Sequence, residues 1–102
     1  MSEATMHTIE ERMRAHLEPA ALDLFDESAM HAGHAGAASG GGHYRMRIVS
    51  LRFAGLSRIA RHRLVYDSLS DLMRNAIHAL TIEALTPDEA FASPAAATGH
   101  SH

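Results

Sequence analysis

A regular alternation of apolar and polar side chains over residues 44–49 constrains the fold of this chain more than any other feature. In an extended strand, Tyr44, Met46 and Ile48 would lie on one face, and the two intervening arginines would lie on the other. A strand of this kind is buried on one side and in contact with water on the other. With 102 residues, 46% of them hydrophobic, the chain can form one modest core. The sequence therefore predicts one small domain whose sheet is covered on a single face.

Two other segments are predicted to be strands of the same sheet. In residues 21–26, Leu22 and Leu24 share a face, and in residues 80–84 apolar residues again alternate with polar ones. Between the first two strands, residues 27–42 contain five glycines and five alanines without periodicity, which is typical of a mobile loop. We therefore expect an antiparallel pair of strands joined by a long loop, and a third strand later in the chain.

Helical patterns occupy most of the remaining residues. Residues 5–17 carry an apolar stripe at helical spacing, and Pro19 would end this helix by moving the preceding residue out of the helical region. Ser57 is predicted to cap a second helix that runs to about Tyr66 and is anchored to the core by that tyrosine.

A third helix is predicted directly after the second. Ser68 and Asp71 have the spacing of a capping box. The apolar residues of this segment have the spacing of a helix that lies flat on a sheet. Residues 86–89 combine a cap, a proline and two acids, which predicts a short last helix with Phe91 packed against the sheet. The apolar residues of the third helix are Leu69, Leu72, Met73, Ala76 and Ile77.

The predicted order of elements is α-β-β-α-α-β, followed by a short helix. Three strands with helices on one face form a two-layer α+β domain. We expect this domain to span residues 1–91. Residues 92–102 are rich in alanine, proline, glycine and histidine, and they are expected to form a disordered tail.

The chain has nine histidines and no cysteine. Its own residues can therefore supply no disulfide, no thiolate nucleophile and no metal site of the cysteine type. A metal centre that prefers sulfur would have to take that sulfur from a partner. The first twenty residues are charged and lack a long apolar run, so we expect neither a signal peptide nor a membrane span, and a cytoplasmic location.

All nine basic residues are arginines, and six of them lie in a stretch, between Glu27 and Asp67, that contains no aspartate or glutamate. Two interpretations are open. The fold could gather these arginines into a basic face for nucleic acid or an acidic partner. Alternatively, the strands and helices simply expose polar residues that happen to be arginine. The six residues are Arg45, Arg47, Arg52, Arg58, Arg61 and Arg63.

Four short motifs, in this order along the chain, resemble those of the BolA family, whose fold is similar to a class II KH domain. Residues 26–31 resemble the family's DES…H motif, and residues 48–55 resemble VVS..F.G. Residues 61–66 resemble the RHR..Y signature, and residues 78–89 resemble HAL…TPEE. The resemblance covers roughly residues 6–91 and implies the class II KH-like fold.

The resemblance also implies a function. BolA-like proteins bind monothiol glutaredoxins of the Cys-Gly-Phe-Ser type and share a [2Fe-2S] cluster with them. The implied role is that of a non-enzymatic partner in iron–sulfur cluster assembly, trafficking or iron-linked regulation. Replacing a thiolate ligand by a neutral imidazole is known cluster chemistry that raises the reduction potential. A chain with many histidines and no cysteine can offer only that part of the ligand set, so no cofactor is expected in the isolated chain.

His78 is the strongest ligand candidate, because a helix-to-strand junction would fix its backbone. We expect the second imidazole to come from the loop between the first two strands, with His31 favoured and His34 and His43 as alternatives. Other roles are open: His78 could interact with the C-terminal end of a helix, and the loop histidines could be ordinary polar residues.

The main alternative is a DNA-binding transcriptional regulator of the BolA type. The KH-like fold and the arginine-rich segment favour it, but a KH domain holds nucleic acid with a GXXG loop, and residues 55–58 contain one glycine. His62, which lies between two arginines, is interpreted as structural or as part of a partner surface. Salt-sensitive contacts to phosphate would come from Arg52, Arg58, Arg61 and Arg63.

An enzyme is the class that the sequence supports least. It contains no Ser-His-Asp order, no paired carboxylates in an apolar setting and no H-E-x-x-H motif. A zinc site built from three imidazoles is a further alternative, and it requires that the isolated protein bind stoichiometric metal.

Overall fold

The structure is a computed structural model that describes residues 2–28 and 42–91. The predicted loop histidines His31 and His34 and the predicted tail, 92–102, lie outside the described residues. The helices are α1 (Ser2–Leu17), α2 (Arg58–Ser68) and α3 (Pro87–Phe91), the strands are β1 (Ala21–Asp26), β2 (Gly42–Val49) and β3 (Ile77–Leu85), and short 3₁₀ turns occupy Leu51–Phe53 and Leu72–Arg74.

The three strands form one mixed sheet with β2 in the middle. β1 runs antiparallel to β2, with Leu22 opposite Ile48, and β3 runs parallel to β2. The parallel pairing requires a crossover, which α2 and the two 3₁₀ turns supply. The predicted three-stranded α+β architecture and the antiparallel first pair of strands are therefore confirmed.

The core lies between the sheet and the helices. Every second residue of β2 from Tyr44 to Ile48 is buried, as the alternation predicted. The buried stripe of α1, formed by Ile9, Met13 and Leu17, packs in the same cluster. The first helix ends at Leu17, and Glu18 leaves the helical region with a φ of 45°.

Ser57 caps the start of α2, as predicted. Its Oγ atom accepts a hydrogen bond of 3.1 Å from the Ala60 N–H. At its other end, Tyr66 donates from its hydroxyl to the Leu80 carbonyl, 3.1 Å away. Tyr66 is about one-third exposed, so it anchors α2 to the backbone of β3 and is not itself a core residue.

The predicted third helix is wrong. The Ser68 hydroxyl donates back to the Leu64 carbonyl at 3.0 Å, so it does not cap a new helix. Asp71 instead accepts two hydrogen bonds of 2.7 Å from the Arg12 guanidinium, which ties the segment to α1. Only the 3₁₀ turn at Leu72–Arg74 follows before β3 begins.

A β-bulge explains why the apolar residues of this segment have helical spacing although they do not form an α-helix. Gly42 pairs with Ile77, whereas the next residue of β2, His43, pairs with Ala79. His78 is therefore an extra residue in β3. Ile77 and Leu80 both face the core although they are three residues apart, and this separation imitates one turn of a helix.

The last helix has the predicted start. The Glu89 N–H donates to Thr86 Oγ1 at 3.2 Å, and the Thr86 N–H donates to Glu89 Oε1 at 2.9 Å, which is a complete capping box. The expectation for Phe91 is wrong, because its side chain is 63% exposed and does not pack on the sheet.

Candidate functional site

His78 occupies the second position of β3, at the bulge, and its side chain is exposed. The sequence placed it where a helix would meet a strand, and the structure corrects this position to the first residues of the strand itself. The backbone of His78 is nevertheless fixed, because Ile77 and Ala79 on either side of it both pair with β2.

The structure brings a second histidine next to His78. The ring centres of His43 and His78 are 5.0 Å apart, and the two ring planes are inclined at 43°. The two residues belong to neighbouring parallel strands, and each lies near the start of its strand. Among the histidines of the described residues, the one beside His78 is therefore His43, which the sequence had offered as an alternative to His31.

Several contacts fix the backbone around His43. Its N–H donates to Ser28 Oγ at 3.1 Å, and its carbonyl accepts from the Glu27 N–H at 2.8 Å. The preceding residue must be small, because a Cβ atom on Gly42 would lie 2.5 Å from atoms of the Tyr44 ring. His43 itself is half-buried, with its Nε2 atom shielded from solvent.

Two imidazoles can supply two ligands to a metal centre. Across residues 2–28 and 42–91, no group of three or more histidine, cysteine, aspartate or glutamate side chains is arranged to hold a metal ion. His31 and His34 lie outside the described residues, so their place in a ligand set stays a prediction.

The arginine-rich segment is neutralised more than its sequence suggests. Four of its six arginines form ion pairs with glutamates from other parts of the chain. Arg58 and Arg63, on α2, are exposed and form no ion pair with another described residue. The pairs are Arg45–Glu27 at 2.8 Å, Arg47–Glu83 at 3.6 Å, Arg52–Glu18 at 2.7 Å and Arg61–Glu89 at 2.7 Å.

Arg61 has an internal structural role. Its guanidinium donates to the carbonyls of Leu56 and Ala84, each at 3.0 Å, and to both carboxylate oxygens of Glu89, at 2.7 and 3.1 Å. The side chain is only 13% exposed. These bonds join the start of α2 to the end of β3 and to α3.

The electrostatics of this contact agree with its geometry. The hydrogen bonds from Arg61 lower the pKa of Glu89 from its ordinary value of 4.5 to about 2. The same contact raises the pKa of Arg61. The next residue, His62, is half-buried and lines a surface pocket together with Arg58, Ile82 and Leu85.

Residues 13–89 match the family described as BolA-like protein. The chain belongs to the BolA family. It is 42% identical over 81 residues to the DNA-binding transcriptional regulator BolA of Vibrio cholerae, an alignment that spans 79% of this chain and 74% of that protein.

Other BolA relatives are longer proteins. The chain is 43% identical over 86 residues to SufE-like protein 1 of Arabidopsis thaliana, covering 79% of this chain and 23% of that protein. It is 43% identical to mouse BolA-like protein 1, covering 78% of this chain and 58% of that protein. The chain thus spans less than a quarter of one relative and somewhat over half of the other.

Solved structures show the same fold. The BolA domain of SufE1 from Arabidopsis thaliana superposes with a TM-score of 0.72 at 42% identity, covering 81% of this chain and 92% of that one. Mouse BolA1 superposes with a TM-score of 0.66 at 42% identity, covering 79% and 63%. Among the helices of the described residues, none combines the length and the apolar character that crossing a bilayer requires.

Proposed function

We propose that this BolA-family chain is a non-enzymatic partner of a monothiol glutaredoxin of the Cys-Gly-Phe-Ser type. In the complex it would bind a shared [2Fe-2S] cluster through His78 and a second imidazole. Its role would be iron–sulfur cluster assembly, trafficking or iron-linked regulation in the cytoplasm.

The observation that carries this proposal is the position of His78. An exposed imidazole on a backbone fixed by strand pairing can meet a cluster that another protein presents. A second imidazole lies 5.0 Å away, so the two residues together can supply two of the four ligands that a cluster needs. The sulfur ligands would come from the partner, because this chain has no cysteine.

Histidine ligation would give the shared cluster a higher reduction potential than four thiolates would. The chain's own residues have separate tasks in this proposal. His78 would hold iron through its imidazole, while the paired backbone on either side of it keeps the residue in place. A neutral imidazole can be protonated near physiological pH, so a cluster held in this way can also be released.

The test is co-expression with a monothiol glutaredoxin from the same cell. We expect a stable complex whose visible absorption and circular dichroism differ from those of the glutaredoxin cluster alone. His78→Ala should remove that difference. The matched control is His16→Ala, which deletes an exposed imidazole on α1 and should leave the spectrum of the complex unchanged.

Two results would contradict the proposal. Failure of the chain to form a complex with the glutaredoxin would reject the partnership itself. A complex whose spectrum is the same with and without His78 would reject His78 as a ligand.

A second candidate function is DNA binding. Two relatives, from Vibrio cholerae and Escherichia coli, carry the name DNA-binding transcriptional regulator, at 42% and 37% identity. In this chain, Arg58 and Arg63 are exposed on α2 without an ion-pair partner among the described residues, and His62 lies between them in sequence. These two guanidinium groups are available for contacts to phosphate.

Salt dependence tests this second function. Two phosphate contacts predict that the logarithm of the affinity for duplex DNA falls with the logarithm of salt concentration with a slope of roughly −2. Arg63→Ala should reduce the slope by about one, whereas Arg74→Ala, which removes an equal charge outside α2, should not. Absence of measurable binding at low salt would reject the DNA-binding function.

A further inference from the structure

We infer that the surface pocket between the start of α2 and the outer edge of β3 is a binding site for one unpaired adenine or cytosine nucleotide. Ile82 reads the base through its backbone, and Arg58 binds the phosphate. This inference does not rest on the glutaredoxin partnership. It also differs from the duplex binding considered above, because it requires a base whose pairing edge is free.

The direction of the backbone groups in β3 follows from one contact at its end. The Leu85 carbonyl accepts a hydrogen bond of 2.9 Å from the Ser50 N–H, directly after β2. Successive residues of a strand direct their N–H and C=O groups to opposite edges. Odd-numbered residues of the regular part of β3 therefore face β2. The even-numbered residues Leu80, Ile82 and Ala84 face the outer edge of the sheet.

Side chains of α2 occupy two of the outward carbonyls. Tyr66 donates to the Leu80 carbonyl at 3.1 Å, and Arg61 donates to the Ala84 carbonyl at 3.0 Å. Ile82 lies between these two positions, and no residue that the structure describes is hydrogen-bonded to its N–H or C=O at this edge. A peptide that added a strand here would need several alternate residues. The edge instead fits a ligand with one donor beside one acceptor.

The pocket next to Ile82 has the size and the walls for a small ring system. Its volume of about 570 Å³ lies within the range of roughly 300–1,000 Å³ that is usual for small-molecule sites. Leu56 and Leu85 contribute apolar surface to its lining. A flat base can lie against these side chains while its edge meets the backbone of Ile82.

The order of donor and acceptor selects the base. Adenine and cytosine each carry an amino donor beside a ring nitrogen that accepts. The amino group can donate to the Ile82 carbonyl, and the ring nitrogen can accept from the Ile82 N–H. Hypoxanthine and uracil carry a carbonyl beside a ring N–H, which is the reverse order. They would place acceptor against acceptor and donor against donor, so this site should reject them.

The charges around the pocket leave a place for a phosphate. Arg58 lines the pocket, is exposed and forms no ion pair with another described residue. A guanidinium group of this kind can bind a phosphate through two parallel hydrogen bonds. Glu83 and Glu89 also line the pocket, but each is paired with an arginine, at 3.6 and 2.7 Å. The charge that remains available to a ligand is therefore positive.

The first experiment is a titration of the isotope-labelled full-length chain with nucleoside monophosphates, followed by the backbone amide signals in NMR. We expect adenosine and cytidine monophosphate to shift the amide signal of Ile82 and to bind roughly tenfold more tightly than inosine and uridine monophosphate. Arg58→Ala should weaken the binding of adenosine monophosphate about threefold and leave that of adenosine unchanged. The matched control is Arg74→Ala, which removes an exposed arginine outside the pocket and should change neither.

The second experiment distinguishes a free nucleotide from a nucleotide within a strand. Single-stranded oligonucleotides of deoxyadenosine or deoxycytidine are compared with one of thymidine and with the adenine–thymine duplex. We expect the first two to shift the Ile82 amide and the last two to leave it unchanged. A response to these strands without one to the monophosphates would identify single-stranded nucleic acid as the source of the nucleotide.

Three results would overturn the inference. The first is an equal response to adenosine monophosphate, inosine monophosphate and inorganic phosphate, because the base would then not be read. The second is a shift of the Ile82 amide by the duplex as large as that by the single strand. The third is an Ile82 amide that responds to none of these ligands. All three are measured on the wild-type chain, so they do not depend on whether a variant folds.

Discussion

The two ends of the parallel pair β2 and β3 differ in what their side chains do. Where the strands finish, the buried Ser50 hydroxyl donates to the Leu17 carbonyl, and Arg61 joins α2, β3 and α3 through four hydrogen bonds. Where the strands begin, two imidazoles lie side by side. The first end stabilises the fold. The other end carries His78, the ligand in the proposed function.

Removal of Arg61 should have the largest effect on folding. Arg61→Ala leaves the Leu56 and Ala84 carbonyls without these donors, and we expect it to lower the free energy of unfolding by about 1–3 kcal/mol. The measurement is urea unfolding followed by circular dichroism. Arg63→Ala, an exposed arginine of the same helix, should change the free energy by no more than about 0.5 kcal/mol. Equal effects of the two substitutions would contradict the assigned role of Arg61.

The Arg61–Glu89 contact also predicts that the free energy of unfolding depends on pH, and we expect this effect to be of intermediate size. Because the pKa of Glu89 is lowered in the folded state to about 2, its contribution to stability is fully present above its ordinary pKa of 4.5. This contribution is lost as the pH falls from about 5 towards 2.

Glu89→Gln should lower the free energy of unfolding at pH 7 by up to about 1 kcal/mol, since the carboxylate is partly exposed. The difference from the wild type should narrow at pH 3. The Arg12–Asp71 pair also titrates in acid, but it is present in both proteins and cancels from the difference. A difference that stays constant between pH 7 and pH 3 would show that the charge of Glu89 is unimportant.

The smallest effect on folding is expected at the histidine end. His78→Ala removes an exposed side chain and should change the free energy of unfolding by less than about 0.5 kcal/mol, although we expect it to remove cluster binding. Thermal unfolding of the isolated chain measures the first effect. A destabilisation comparable to that of Arg61→Ala would remove the contrast between the two ends, because His78 would then be a structural residue.

Much of the fold could be predicted from local patterns. The alternation around Met46, the apolar stripe of α1 and the caps at Ser57 and Thr86 involve residues at most a few positions apart. Such patterns express the geometry of single elements, which sequence spacing records directly. The motif order also predicted the family, and the match over residues 13–89 confirmed it.

The remaining features depend on contacts between distant residues. The bulge at His78 is visible only in the pairing of β3 with β2, and without it the spacing from Leu69 to Ile77 predicts a helix. The ion pairs that neutralise the arginines join residues such as Arg52 and Glu18, which are 34 positions apart.

The sequence by itself determined the strands, the main helices and the absence of cysteine thiolate ligands, because each follows from composition or from neighbouring residues. It also provided several histidines as candidate ligands for a metal. Only the tertiary structure showed that, among the described histidines, His43 lies beside His78. Parallel pairing and one extra residue in β3 bring His43 to that position, and neither is encoded in the spacing of adjacent residues.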